Sequence, residues 1–397
     1  MRKNFFLGAM ALAAVALTGC QKDEVLNQVP QDNAIEFGTY VGRDAQTKAY
    51  VIDNDQLAKD GFGVFAYYTG KSNFSTSDTP NFMYNQRVDK GINGENANWI
   101  YSPIKYWPNN ENDKLSFFAY APHVTNTNEY MKVSVPTTES TLTPEITYTV
   151  NDDVANHQDI LWAIPVLNAS QSSIKVNDEI KFNFKHTLSR IGFKVQALVD
   201  RVNYNQDGSE NNDTNNGSDL DAATTIRIKS VTLSGNFYAQ GKLVYAATPE
   251  NKFKWEDLKT AEANKISFVL KNSDEDNKYG NFTKNADNVT DATSGITQQL
   301  NNENSYLMII PQGFTSTSKL TINVIYTVTT VDDKLPGGKS EIENNITTSF
   351  NMQQPFKAGE AYNFVLHLGL RSVKLTADVA EWDESDIAVN LPIIAEK

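Results

Sequence analysis

One thiol, Cys20, and four imidazoles, His123, His157, His186 and His367, are the side chains best suited to nucleophilic or metal chemistry in this 397-residue chain. Their spacing limits both. A lone cysteine closes no disulfide within its chain, and the histidines lie too far apart in sequence for the short ligand spacings of a zinc site. His186 continues the apolar face of the run around it, as a hydrogen-bonded core histidine does. Asn203, Asn205, Asp207 and Gly208 are spaced like the start of an EF-hand loop, but the twelfth position holds Thr214 where a bidentate glutamate belongs. No GxSxG, HExxH, Walker or dinucleotide pattern occurs. Two carboxylates of a glycosidase would meet only in the fold, and nothing singles out such a pair. The expectation is a protein with no catalytic residues, no metal ligands and no cofactor beyond the lipid argued next.

Cys20 stands at the end of a different pattern. Arg2 and Lys3 precede an apolar run, Phe5 to Leu17, and small residues close it, so residues 1–19 form a secretory signal. The run is shorter than the roughly 20 residues that span a bilayer. Leu17-Thr18-Gly19-Cys20 resembles a bacterial lipobox, which implies that the thiol is diacylated, that the signal is cut before Cys20 and that the new amine is acylated. One acyl chain holds a protein marginally, but two or three, at about 0.8 kcal/mol per buried CH₂, anchor it firmly. Gln21-Lys22-Asp23-Glu24 looks like the signal that exports lipoproteins of Bacteroidota through the outer membrane to the cell face, although a solvated tether has the same composition. No apolar stretch after Cys20 approaches the length of a spanning helix, so the membrane is met only through the lipid. The formal charge of −13 becomes about −15 once Arg2 and Lys3 leave, which disfavours nucleic acid and anionic headgroups as partners.

The elements that carry these residues read as strands. Asn, Thr, Ser, Tyr and Phe are abundant, and apolar residues alternate with polar ones. In IEFGTYV the residues Ile35, Phe37, Thr39 and Val41 fall on one face, and a polar loop from Gly42 to Lys48, containing Arg43, follows. Further strands are expected in residues 61–68, 114–122, 145–151, 159–165, 305–311, 319–330, 361–370 and 372–379, each bounded by turn residues. Two stretches change phase. Ile180, Phe182, Phe184 and Leu188 are even-numbered, whereas Ile191, Phe193, Val195, Ala197 and Val199 are odd, and a second slip falls between Ile228 and Val231. A one-residue slip turns the buried face outward, so the chain must bulge or change sheets near Ser189 and Arg190. Polar loops at 201–225 and 271–305 interrupt the later half. The pattern predicts an all-β protein of two tandem β-sandwiches. The expected division is a signal peptide at 1–19, a lipidated tether at 20–34, an N-terminal domain at 35–195 and a C-terminal domain at 196–397.

Trp99, Tyr101, Tyr106 and Trp107 cluster in NWIYSPIKYWPNN, either as core and edge packing or as a platform for a sugar. That stretch, followed by KLSFFAYAP, DILWAIP, FKHTLSRIGFKV, IRIKSVTLSGNFYAQGKL, LMIIPQ and FKAGEAYNFVLHL, resembles the fimbrillin family of Bacteroidota, the subunits of type V pili. The resemblance spans nearly the whole chain after Cys20 and lies in its succession of segments, not in one decisive motif. It implies two transthyretin-like Greek-key β-sandwiches, travel as a lipoprotein to the outer membrane and cell surface, and a place in a pilus, or fimbrium, serving adhesion and biofilm formation. It further implies an arginine-specific surface protease that removes the N-terminal segment, and other pilin subunits of the same or related type as partners, joined by strand exchange.

The residues supply a route for that account. A cut after Arg43, or alternatively after Lys48, releases the strand of Ile35, Phe37, Thr39 and Val41 and leaves an apolar groove with unpaired backbone groups. Ile387, Val389, Leu391 and Ile393 alternate near the other end, either as a donor strand or as the last strand of their own domain. Pro392 between them suits an edge strand. Two alternatives remain at this level: a pilus tip or anchor adhesin, or a surface lipoprotein binding a host or bacterial ligand or glycan.

Overall fold

A computed structural model of the chain describes residues 33–41, 52–91, 98–125, 128–134, 143–151, 153–174, 178–197, 224–248, 250–260, 266–271, 280–281, 298–301, 306–314, 319–352, 354–368, 373–381 and 389–391. The fold is all-β, and the described strands form four sheets. The longest α-helical element among the described residues is Asn54–Asp60, capped by Asp53, whose carboxylate accepts the Gln56 N–H at 2.7 Å. It is closed by Gly61 at φ 67°, whose N–H reaches the Leu57 carbonyl at 2.9 Å.

The first sheet runs Phe37–Val41, Ile180–His186, Leu161–Ile164, Lys114–Ala121, Phe62–Gly70, Met83–Lys90 and Trp99–Ile100, with Val166–Ala169 also paired to Lys114–Ala121. Its central strands are apolar almost throughout because both faces are buried. Phe62, Val64, Ala66, Phe117 and Ala119 enter one core, while Phe65, Tyr67, Phe118 and Tyr120 enter another. The first of these cores also takes Ile35, Phe37, Val41, Phe182 and Phe184.

The expected phase change at Ser189 is a change of sheet. Ile180–His186 belongs to the first sheet, and Ser189–Ala197 opens the second, parallel to Glu360–Leu368 in register Ile191 to Tyr362. The corner between them is pinned by the Trp255 Nε1–H on the Thr187 carbonyl at 2.9 Å and the Thr187 hydroxyl on the Ile160 carbonyl at 2.8 Å. The second slip is a β-bulge. Ile228 faces Tyr326 and Ser230 faces Ile325, so Lys229 is the extra residue and both flanking apolar sets stay inward.

Val373–Glu381 and Val389–Leu391 continue the second sheet beyond Glu360–Leu368, while Leu307–Ile309 and Gln298–Gln299 lie beside Ser189–Ala197. The third sheet orders Gly280–Asn281, Ile266–Lys271, Thr224–Gly235, Leu320–Val331 and Lys339–Phe350. The fourth joins Phe253–Thr260, Tyr238–Tyr245, Glu145–Thr149 and Met131–Val133, so strands from both sides of residue 195 share it.

Candidate functional site

The first strand and the slot that holds it form the candidate site. Phe37–Val41 pairs parallel with Ile180–His186, from Phe37 opposite Ile180 to Val41 opposite Phe184, and it ends the first sheet. Ile180 donates its N–H to the Glu36 carbonyl at 2.8 Å. In a parallel ladder alternate residues bond a given neighbour, so Glu36, Gly38 and Tyr40 turn their backbone to Ile180–His186 and the odd-numbered residues turn theirs away.

On that other flank, side chains and a bent segment stand where another strand would lie. The Ile35 N–H donates to the Lys105 carbonyl at 2.9 Å, and the Tyr101 hydroxyl donates to the Ile35 carbonyl at 2.8 Å. Burial pushes the Tyr101 phenol up to about 12, so it keeps the proton it donates. Trp99 Nε1–H reaches the Thr39 hydroxyl at 3.1 Å. At the strand's end the Asn54 side-chain amide meets both polar groups of Val41: Oδ1 accepts its N–H and Nδ2 donates to its carbonyl, each at 3.4 Å. The helix Asn54–Asp60 places that amide.

The inward side chains are deeply seated. Ile35 and Phe37 are each 1% exposed. The Phe37 ring lies 5.5 Å from Phe182, 5.2 Å from Tyr101, 6.1 Å from Phe117 and 6.3 Å from Phe62, centroid to centroid. The aromatic segment is therefore the wall of the strand slot. Trp99 stands edge-on to Phe62 at 4.9 Å, Trp107 packs against Phe117 at 6.2 Å, and of the four clustered aromatics Tyr106 is the one that turns outward, 42% exposed.

Of the other residues singled out in the sequence, Cys20, Arg43, Lys48, Ile387, Ile393 and the loop from Asn203 to Thr214 lie outside the described residues. Val389 and Leu391 belong to a short strand antiparallel to Val373–Glu381, opposite Val379 and Ala377. His186 Nδ1 is bonded to the Asp159 carboxylate at 2.7 Å within the core. His157 Nε2 meets the Asn151 carbonyl at 2.8 Å, and its Nδ1 accepts the Met308 N–H at 2.8 Å. Among the described residues no three His, Cys, Asp or Glu side chains converge to hold a metal, and no helix is long and apolar enough to cross a membrane. Asn54, Phe62, Phe117 and Phe182 also line the slot, and no sequence motif assigns them to it. The phenylalanines were visible as apolar positions, but nothing local marks Asn54.

The model of the fimbrillin-like family matches residues 47–382, and the chain belongs to that family. Its fold is similar to that of a fimbrial protein from Bacteroides vulgatus, 21% identical, with 88% of this chain and 99% of that one covered at a TM-score of 0.63. A candidate cell adhesion protein from Bacteroides uniformis is 14% identical over 89% of this chain and 99% of that one, at a TM-score of 0.44. No curated protein matches. Membership in a structural family of this kind makes the chain a pilus or adhesin subunit of the cell surface that assembles with other pilins.

Proposed function

We propose that the chain is a fimbrillin that is exported as a lipoprotein acylated at Cys20, displayed on the outer membrane, trimmed by an arginine-specific surface protease and polymerised by strand exchange into an adhesive, biofilm-forming pilus. The observation that carries this reading is the placement of the Phe37–Val41 strand. It ends a sheet, fills an aromatic slot and leads directly into the segment that holds Arg43, with Lys48 as the alternative cut.

The energetics permit release once the chain is cut. Burying Ile35, Phe37 and Val41 contributes roughly 1.5–3 kcal/mol each, and ordering residues 35–41 costs about 1–2 kcal/mol per residue. The two are of similar size, so the strand stays while it is tethered and is free to leave when it is not. The vacated slot then presents apolar pockets and unpaired backbone along Ile180–His186, which another strand must cover. In this reading the segment of Ile387, Val389, Leu391 and Ile393 from a second subunit fills it. Because donor and acceptor surfaces differ, the contact is heterologous and builds an open filament.

The inward packing of Trp99, Tyr101 and Trp107 weighs against a sugar platform at this segment. The test is deletion of Ser385 to Lys397. The truncated protein should fold as a monomer and form no filaments after protease treatment, and normal filaments from it would exclude the C-terminal segment as donor.

A further inference from the structure

The slot has two kinds of wall. Phe62, Phe117 and Phe182 meet the side chain of Phe37 and therefore read side-chain shape. Asn54 and Tyr101 instead meet backbone, and so are indifferent to which side chains the strand carries. A primary amide offers a donor and an acceptor in one plane, as a peptide group does, and Asn54 uses both on Val41. Tyr101 bonds the carbonyl of Ile35. The two contacted residues sit six positions apart on the same parity, which is about 20 Å along a strand.

We propose that Asn54 and Tyr101 are the positioning residues that receive the incoming C-terminal segment of a second copy and set its register. This inference rests on the strand-exchange reading above. The segment repeats the spacing of the resident strand: Ile387, Val389, Leu391 and Ile393 match Ile35, Phe37, Thr39 and Val41 in number and parity. Seated in the same direction, Ile387 takes the place of Ile35 under the Tyr101 hydroxyl, and Ile393 takes the place of Val41 against the Asn54 amide. Pro392 then takes the place of Tyr40, so its missing N–H gives up one ladder bond to Ile180–His186 but not the bond that Asn54 makes. A slip of one residue in either direction would turn the apolar set outward, and in one direction it would put Pro392 at the Val41 position, where Asn54 accepts an N–H.

The test uses the full chain, cut with an arginine-specific protease in the presence of a fluorescent peptide of residues 385–397, with affinity read by anisotropy. Asn54→Ala and Tyr101→Phe should each weaken peptide binding about 2–10-fold, the value of one or two hydrogen bonds, measured after the protease has cut each variant to the same product as wild type. The deciding readout is a peptide N-methylated at Ile393. Methylation should weaken binding to the wild type by a similar factor and leave binding to Asn54→Ala unchanged. If methylation weakens both proteins equally, Asn54 does not read that backbone group and the inference is overturned while strand exchange stands. If the cut wild type binds no peptide at all, the strand-exchange reading itself fails.

Discussion

His186 and Asp159 meet in the core at 2.7 Å, Nδ1 to Oδ2, with the carboxylate side chain wholly shielded from solvent. The same carboxylate accepts the N–H of Ile52 at 3.2 Å and of Ile160 at 2.8 Å. Ile52 is the first described residue after the segment that holds Arg43 and Lys48. The pair thus fastens the chain immediately downstream of the proposed cut, and trimming need not loosen what remains.

Asp159→Ala should accordingly destabilise the fold by about 3–5 kcal/mol, because it removes the buried acceptor shared by His186 Nδ1 and the N–H groups of Ile52 and Ile160. Urea denaturation checks this. A loss under about 1 kcal/mol would show that the site relaxes around the missing carboxylate.

His123 gives a pH dependence with a definite sign. Burial holds its pKa below the ordinary 6.5; the Asn85 carbonyl at 3.3 Å and Asp89 push it up, and Arg87 pushes it down, without reversing the shift. The folded state thus prefers the neutral ring, so its contribution is complete above the unfolded value and is lost as pH falls below about 6.5. Denaturation midpoints of wild type and His123→Gln should run parallel above that pH and converge in slope only there. Below it the wild type should fall more steeply. Equal slopes on both sides would remove His123 as the titrating group.

Phe37→Ala should empty the slot of its largest side chain. A loss of about 3–5 kcal/mol is expected for a buried phenylalanine, concentrated in the end strand because that strand has one strand neighbour. Hydrogen exchange in residues 35–41 should speed up well before the second sheet changes, and the protease should release the segment faster. Uniform acceleration through the whole chain would mean that the strand is not a separate unit of stability.

The sheet-forming character of the chain was legible because alternation is local. The slip between Leu188 and Ile191, and the one between Ile228 and Val231, each announced a bulge or a sheet change, and the structure has a sheet change at the first and a bulge at the second. Strand partners were not legible. Nothing near Phe37 points to Phe182, and nothing in Glu145–Thr149 points to Tyr238–Tyr245 across residue 195, since such pairings are set by topology and not by local pattern. Lys339–Phe350 escaped detection because most of its residues face solvent and leave no apolar alternation to read. The aromatic cluster was visible as residues, and core packing was one of its two readings. Its specific role as the wall of the N-terminal strand depended on contacts such as Tyr101 with Ile35, 66 residues apart.

The Val389 position makes a prediction about fit. In the proposed register it enters the pocket of Phe37 and underfills it, so a peptide of residues 385–397 carrying Val389→Phe should bind the cut protein more tightly than the natural peptide, by several-fold. Weaker binding would place a different residue in that pocket.

The most direct measurement is intact mass combined with electron microscopy of the full chain before and after treatment with an arginine-specific protease. A product beginning at Asp44 is expected, together with filaments that are absent from the untreated sample. A product of that mass that stays monomeric, or filaments built of uncut protein, would contradict assembly through removal of the first strand.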